Sequence, residues 1–259
     1  MKILIVGDIF SKMGRESFER NLKKLKREEN INFIIVNGEN TSHGKGLNEK
    51  HYKWFMELGV NVITMGNHTY SNRNIYNFID DSKSIVRPAN FSQDLPGVGY
   101  TTKNYNGIKI TVMQFIGKVF MNNPNDEDPF EKTQELLDSI DSNIFICDFH
   151  AEATSEKVAF GHCFDGKIQI IYGTHTHVQT NDARILPKGS AYITDVGMTG
   201  AMDGVIGVQK NIIIDRYLKK STNAFEPEDK GKAQFCAIIV EIDEKTFKCQ
   251  NIKVLNIIE

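Results

Sequence analysis

Short, mostly apolar runs that end at a glycine or a polar residue are the feature that most constrains the fold of this chain. Residues 3–6 and 33–36 are continuously apolar, and they end at Gly7 and at Asn37. Such runs are typical of strands that are buried on both faces of a sheet. Further predicted strands of this kind lie at residues 61–65, 144–149, 168–172 and 191–194.

Between the first few predicted strands, apolar residues recur at helical spacing. An apolar stripe predicts a helix over residues 14–29. Two more helices are predicted at residues 47–58, with Asn48 as the cap, and at residues 72–79. Strands that alternate with helices pair in parallel through right-handed crossovers, so the pattern predicts an α/β protein.

The rest of the chain is richer in strands. Predicted strands lie at residues 98–102, 108–115, 235–242 and 247–255, a predicted helix at 130–140, and a polar loop at 122–129. No linker clearly divides the chain, so we predict a single domain over residues 1–259, with a small excursion near 200–232.

Composition and charge limit the partners and the cellular compartment that we expect for this protein. The chain has 259 residues and a net charge of -2, which by itself favours neither a nucleic-acid binder nor a membrane-surface protein. Its four cysteines form no C-x-x-C pair, which favours a reducing compartment. No apolar run approaches the roughly 20 residues that span a bilayer. We therefore expect a cytoplasmic protein with no membrane partner.

Polar side chains follow the buried strands at the points where these end. In parallel sheets the carboxyl ends of the strands share one edge, where ligands bind. Each such residue alone is more often a cap, a turn or a surface residue. Together they use one set of ligand types at successive strand ends, which favours a common site. The residues are Asp8, Glu39, Asn40, Asn67, His68, His150, His175 and His177.

The chemistry of this set indicates a metal centre. Carboxylates, amides and imidazoles without cysteine suit first-row divalent metals such as Mn, Fe or Zn better than Ca or Mg. The donors are too many for one tetrahedral ion, but two ions about 3.5–4 Å apart would use them all. Glu39 is the predicted bridge between the two ions.

These residues resemble a known family. The motifs Gly7-Asp8, Gly38-Glu39-Asn40, Gly66-Asn67-His68, the lone His150 and Gly173-Thr174-His175-Thr176-His177 are similar to those of the calcineurin-like metallophosphoesterases. The resemblance is closer to one branch, the YmdB-like bacterial phosphodiesterases. It is carried there by residues 37–40, 43–47, 63–69, 86–91, 148–157 and 194–200, and it covers nearly the whole chain.

The resemblance implies a four-layer α/β/β/α sandwich of two mixed sheets. It implies hydrolysis of phosphodiesters, with cyclic nucleotides as proposed substrates, and a centre of two metal ions. The donor types favour Fe or Mn as these ions, with Zn as another candidate. The implied ligands of one ion are Asp8, Glu39, Asn40 and His177. Those of the other are Glu39, Asn67, His150 and His175, while His68 stands beside the centre without ligating it.

The chain departs from the wider superfamily at two positions. The usual Asp-x-His motif is here Asp8-Ile9-Phe10, and Phe10 cannot bind a metal. Asn40 would fill that place through its amide oxygen, which is the pattern of the YmdB-like branch. Glu39 stands where an Asp commonly bridges the two ions. The site should therefore be less selective among metals than in the superfamily.

The expected mechanism uses a water that bridges the two ions, loses a proton and attacks phosphorus as hydroxide. His68 is the expected general acid for the leaving group. His43 and His162 are candidate substrate contacts, although a structural or surface role is the simpler reading, and His51 is expected to face solvent. Glu152 and Asp195 are candidates for orienting imidazoles, against an ordinary salt bridge or turn.

Other functions stay open at this stage. The same site would serve a phosphomonoesterase or a nuclease, although the chain lacks a basic stripe with interleaved aromatics that would favour long nucleic acid. A metal-dependent, nucleotide-binding regulatory protein is a third possibility, and a homo-oligomer is possible. A Rossmann-type dinucleotide binder is excluded, because Gly7-Asp8 stands where G-x-G-x-x-G would follow the first strand.

Overall fold

Two mixed β-sheets lie face to face at the centre of the protein. The computed structural model describes residues 1–121 and 127–259. The first part of the chain forms β1 Lys2–Val6, β2 Asp8–Ile9, α1 Ser11–Glu28, β3 Phe33–Asn37, α2 Glu49–Glu57, β4 Val62–Thr64, a 3-10 helix Arg73–Asn77 and β5 Ile85–Val86. The middle forms β6 Tyr100–Tyr105, β7 Ile108–Ile116, α3 Pro129–Ser139, β8 Ile144–His150, α4 Thr154–Cys163, β9 Ile170–Thr174, β10 Arg184–Ile185 and β11 Ala191–Ile193. The last part forms β12 Met198–Ala201, α5 Lys210–Tyr217, β13 Ala233–Ile242 and β14 Cys249–Ile258.

The first sheet has the strand order β2-β12-β13-β1-β3-β4-β5, with β14 also paired to β13. Its strands β1, β3, β4 and β5 are parallel, and β13 runs antiparallel to β1. The second sheet has the order β10-β11-β9-β8-β7-β6, with a parallel centre and one antiparallel strand at each edge. In each sheet the parallel strands therefore end at a common edge.

Alternation along the strands divides the core into layers. In β1, Leu4 belongs to the same core cluster as Phe18 of α1, while Ile5, one residue further, belongs to the cluster that contains Ile146 of the second sheet. The outer face of the second sheet packs on α3 and α4, where the ring of Phe149 stacks on that of Phe160 at 4.1 Å. The result is the predicted α/β/β/α sandwich, in which each sheet buries both faces.

Most predicted elements are present, while the short strands β2, β5, β10 and β12 have no counterpart in the sequence prediction. The predicted helix at 72–79 is a five-residue 3-10 helix, at whose start the side chain of Asn72 accepts from the backbone N–H of Asn74 at 3.1 Å. Helices α4 and α5 have no counterpart in the sequence prediction. In α4 the buried Lys157 interrupts the apolar face, so its hydrophobic pattern is weak.

Two further predictions concern the surface of the fold. Of the polar loop predicted at 122–129, residues 122–126 lie outside the described part of the chain. Asn48 caps α2 as predicted, since its side chain accepts from the N–H of His51 at 2.8 Å. His51, however, was wrongly expected to face solvent: its Nδ1 lies 2.8 Å from Ser42 Oγ, and burial lowers its pKa to about 4. Among residues 1–121 and 127–259, no helix combines the length and the apolar character needed to traverse a bilayer.

Candidate metal centre and active site

The predicted donors meet at the seam between the two sheets. Asp8 opens β2, Glu39 and Asn40 follow β3, and Asn67 follows β4, all in the first sheet. In the second sheet, His150 is the last residue of β8, and His175 and His177 follow β9. The structure thus brings together side chains that are up to about 170 positions apart in the sequence, as the positions of Asp8 and His177 show.

Glu39 lies at the middle of the group. Its Oε1 is 3.3 Å from His150 Nε2 and accepts from Asn40 Nδ2 at 3.2 Å. Its Oε2 accepts from the backbone N–H of His68 at 2.9 Å. One carboxylate therefore contacts donors from both sheets, as a bridging ligand would have to do.

One half of the cluster surrounds His150. Its Nε2 lies 2.8 Å from Asn67 Oδ1 and 3.1 Å from His175 Nδ1. Ligand atoms of Glu39, His150 and His175 all lie within 4.8 Å of one another. This spacing is compatible with shared coordination of a single ion.

The other half surrounds Asn40. Its Nδ2 lies 3.2 Å from His177 Nε2 and 3.4 Å from Asp8 Oδ1, and His177 Nε2 is 3.6 Å from the same Asp8 oxygen. A half-turn of the Asn40 amide exchanges Nδ2 with Oδ1, which would present an acceptor to an ion at this place. Phe10 packs edge-on against His177 at 5.7 Å between ring centroids, so it shields this half without offering a ligand.

Hydrogen bonds determine which ring nitrogen of His150 and of His177 faces the donor cluster. The hydroxyl of Thr174 donates to Asp148 Oδ1 at 2.6 Å, so it accepts from Nδ1–H of His150 at 2.8 Å. Nδ1–H of His177 donates to the carbonyl of Ile206 at 3.0 Å. In both rings, Nε2 is therefore the nitrogen that faces the cluster and would bind an ion there.

His175 is held in the opposite sense. Its Nε2 lies 3.2 Å from a carboxylate oxygen of Glu152, so Nε2 is the protonated nitrogen and Nδ1 carries the lone pair that faces His150. Acceptor atoms of Glu39, Asn67 and His175 therefore converge on His150 Nε2, where a proton links them and a metal ion would replace that proton. Burial lowers the pKa of His150, but Glu39 outweighs this and raises it to about 9, so the cluster attracts a positive charge strongly.

The charge balance of the cluster points the same way. Asp8 and Glu39 are 0% and 1% exposed. Within the described ranges 1–121 and 127–259, Lys and Arg side chains form no ion pair with them, and imidazoles are their only cationic partners. Burial alone would raise the pKa of Asp8, but attraction to His177 and His150 lowers it well below its usual range. Buried carboxylates among oriented imidazoles fit a centre whose charge is balanced by divalent cations.

Close backbone approach also supports the cluster. A Cβ on Gly66 would lie 2.4 Å from Glu39 Oε2 and 2.5 Å from His150 Nε2, so only glycine fits there. His175 and His177 adopt φ values of 96° and 64°, in the left-handed region. Such conformations cost about 1–3 kcal/mol each and persist only where the surroundings hold them.

A buried network behind the imidazoles has no counterpart in the sequence predictions. Asp148 accepts from Thr64 Oγ1 at 2.5 Å and from Gln114 Nε2 at 3.2 Å, in addition to Thr174. Burial raises the pKa of Asp148 to about 6, although its hydrogen bonds lower it. The available signal was an acidic residue inside the otherwise apolar run at 144–149.

Glu152 and Asp195 have different roles. Glu152 contacts the His175 ring, whereas Asp195 pairs with Lys157 Nζ at 2.7 Å and accepts from the backbone N–H of Thr176 at 3.1 Å. Asp195 therefore holds the backbone between the two histidines rather than an imidazole.

A cavity of about 1040 Å³ opens onto the donors. Its lining includes His68, His43 and the cationic side chains of Lys45 and Arg73. His68 Nδ1 lies 3.0 Å from Ser71 Oγ. Burial lowers the pKa of His68, while Glu39 opposes that shift. The other candidate substrate contact, His162, is exposed on α4 and is not among the described residues that line this cavity.

The two facing sheets and the cleft at their seam define the metallophosphoesterase class of fold. A model of the family described as "YmdB-like protein" matches residues 4–255, and the chain belongs to that family. It is 45% identical over 256 residues to a Bacillus subtilis protein named 2',3'-cyclic-nucleotide 2'-phosphodiesterase, covering 98% of this chain and 96% of that one. The predicted family, fold class and enzyme class, a phosphoric diester hydrolase, are confirmed.

Two solved structures extend the comparison. A Mycoplasma pneumoniae structure described as a novel phosphatase is 40% identical, with a TM-score of 0.95 over 100% of this chain and 93% of that chain. A putative 5'-nucleotidase from Staphylococcus aureus is 14% identical, with a TM-score of 0.64 over 98% of this chain and 53% of its own. The second likeness shows a shared fold alone.

Proposed function

We propose that this protein is a metal-dependent phosphodiesterase that hydrolyses 2',3'-cyclic nucleotides or similar small phosphodiesters. The observation that carries the proposal is the convergence of ligand atoms from Glu39, His150 and His175 within 4.8 Å of one another. The name of the Bacillus subtilis relative supports the choice of substrate.

The geometry supports two ion positions on either side of Glu39. Asp8, Glu39, Asn40 and His177 would hold one ion, and Glu39, Asn67, His150 and His175 the other. Oxygen and imidazole donors without thiolate favour Fe or Mn, with Zn also compatible. When bound, the two ions would activate a water molecule as the nucleophile and offset negative charge on the phosphoryl oxygens.

His68 is the proposed general acid. Its backbone is tied to Glu39 and its Nδ1 to Ser71, so Nε2 is the nitrogen free to give a proton to the leaving oxygen. Burial lowers its pKa in the free protein, but a phosphodiester anion bound beside it would raise that pKa and favour the protonated form.

The cavity is compatible with a small anionic ester. Lys45 and Arg73 line it together with the donor cluster, and they would attract the phosphate. Hydrolysis of phosphomonoesters is a second candidate activity, because a Mycoplasma pneumoniae relative of 40% identity is named a putative phosphatase/phosphodiesterase. A monoester carries one more negative charge, which the same two side chains would help to bind.

The test is turnover and metal content measured on one preparation. Protein loaded with Mn or Fe(II) should hydrolyse 2',3'-cyclic AMP to a nucleoside monophosphate, and a strong chelator should remove both the metal and the activity. A panel with 3',5'-cyclic AMP and a phosphomonoester ranks the candidate substrates. Folded, metal-loaded protein that cleaves none of them would contradict the proposal, and so would activity that survives complete removal of metal.

A further inference from the structure

One wall of the cavity comes from the chain between β12 and β13 rather than from a strand end. It is largely apolar and carries a single charged side chain. Its residues are Ile206, Val208, Arg216, Ala224, Phe225 and Pro227. None of these side chains belongs to the donor cluster, although the backbone carbonyl of Ile206 accepts from His177. The side chains of the wall therefore need a separate explanation.

An aromatic ring and a guanidinium form the centre of this wall. Arg216 lies over the ring of Phe225, with 4.2 Å between the guanidinium carbon and the ring centroid. The guanidinium is anchored, because its Nη2 donates to the carbonyl of Asn223 at 2.8 Å. Phe225 remains 44% exposed although it is apolar. The ring is thus supported by a cation and still open to a planar ligand.

Backbone contacts hold this wall in position against the donor cluster. Val208 and Pro227 form an isolated antiparallel bridge, and the N–H of Gln209 donates to the carbonyl of Glu226 at 2.9 Å. Ile206, in the same segment, accepts the hydrogen bond from His177 that orients the imidazole. The ring and the candidate metal centre therefore belong to one connected framework, which favours a preorganised subsite.

We propose that Phe225, backed by Arg216, is a nucleobase subsite that makes the enzyme prefer nucleoside phosphodiesters to phosphodiesters without a base. This proposal rests on the proposed function for its substrate class. Aromatic rings and Arg planes are the surfaces on which proteins stack unpaired bases. The volume suits it, since about 1040 Å³ lies just above the roughly 300–1,000 Å³ of small-molecule sites and leaves room for a base and a sugar beside the phosphate.

The composition of the wall also predicts its selectivity. The side chains of Ile206, Val208, Ala224 and Pro227 have no hydrogen-bonding groups, so they do not read the edge of a base. Stacking is tolerant of base identity, because every base has a π-face. All four nucleosides should therefore be accepted, with purines bound more tightly than pyrimidines because their rings are larger.

The test compares ligands with and without a base. Calorimetry on metal-loaded protein measures binding of adenosine 3'-monophosphate and of ribose 5-phosphate. Phe225→Leu should weaken binding of the adenosine nucleotide roughly tenfold, within the range found for stacked bases, and leave ribose 5-phosphate unchanged. Phe225→Trp should restore nucleotide binding. Tyr217→Leu is the matched control, since Tyr217 is 85% exposed on the neighbouring helix and does not line the cavity.

Binding and turnover separate this proposal from the proposed function. With 2',3'-cyclic AMP, Phe225→Leu should raise KM more than it lowers kcat. Equal weakening of both ligands, no weakening of either, or a wild-type protein that binds no nucleotide would overturn the subsite. In a further outcome, the wild-type protein binds nucleotides through their base, loses that binding in Phe225→Leu, and yet hydrolyses no substrate. That result would retain the subsite and reject the proposed function.

Discussion

The first sheet delivers oxygen donors to the candidate centre, whereas the second sheet delivers nitrogen donors. Asp8, Glu39, Asn40 and Asn67 follow strands of the first sheet, and the imidazoles follow β8 and β9 of the second. Neither sheet alone assembles the cluster. The site is therefore a property of the seam, and its integrity depends on how the two sheets are held together.

Asp148 is the main polar lock at that seam. It belongs to β8 of the second sheet, yet it accepts from Thr64 and Asn37 of the first. Through Thr174 the same carboxylate orients His150. Sheet packing and ligand orientation are therefore coupled through one buried group.

The largest expected effect comes from the residue that contacts both sets of donors. Glu39→Gln removes the charge at the centre of the cluster, and hydrolysis should be abolished while the fold remains intact. The loss should exceed about a hundredfold, because even outer contacts of metal ligands cost 10–100-fold. Turnover and metal content are the measurements, with Glu57→Gln on exposed α2 as the control. An unchanged turnover number would refute Glu39 as the bridge.

His68 tests whether every polar residue at these strand ends is a ligand. His68→Ala should retain both metals and slow turnover by about 10²–10⁴-fold, the usual contribution of a general acid. The loss should be smallest for nitrophenyl esters, whose leaving groups need no proton. The exposed His162→Ala is the matched control. Loss of metal from His68→Ala would instead make His68 a ligand.

The parts of the site that follow strands were predictable, since apolar runs mark strands and the polar residues after them mark the sheet edge. The contacts that orient those residues were not. Ile206 acts through a backbone carbonyl, which has no side-chain signature. Asp148 shows in the sequence only as an acidic residue within an apolar run, and the packing of the two sheets reveals that Thr174 is its partner. The wall with Phe225 depends on an isolated β-bridge between Val208 and Pro227, which no local sequence pattern predicts.

A smaller effect is expected at the lock between the sheets. Thr174→Val keeps the shape of the side chain but removes the hydroxyl that links Asp148 to His150. Metal affinity should fall about 10–100-fold, and unfolding free energy by about 1–3 kcal/mol because buried polar groups lose a partner. Metal titration and chemical denaturation measure the two quantities.

Thr133→Val is the control for that change. Thr133 is also fully buried, and its hydroxyl donates to the carbonyl of Pro129 at 2.6 Å in α3, away from the seam. It should cost stability without changing metal affinity. If both variants lose stability and neither loses metal, the second sheet holds its imidazoles without help from Asp148, and the coupling between packing and ligation is wrong.

The smallest effect should come from Ser71, which positions His68 through a single hydrogen bond at the mouth of the cavity. Ser71→Ala should slow hydrolysis of poor leaving groups by about 2- to 10-fold, the value of one hydrogen bond, while the exposed Ser139→Ala has no effect. A double-mutant cycle gives the sharper test. Because Ser71 acts only by orienting His68, its removal should cost nothing further in His68→Ala. Additive losses would mean that Ser71 contacts the substrate itself and acts independently of His68. The first sheet would then contribute a second catalytic group to the seam.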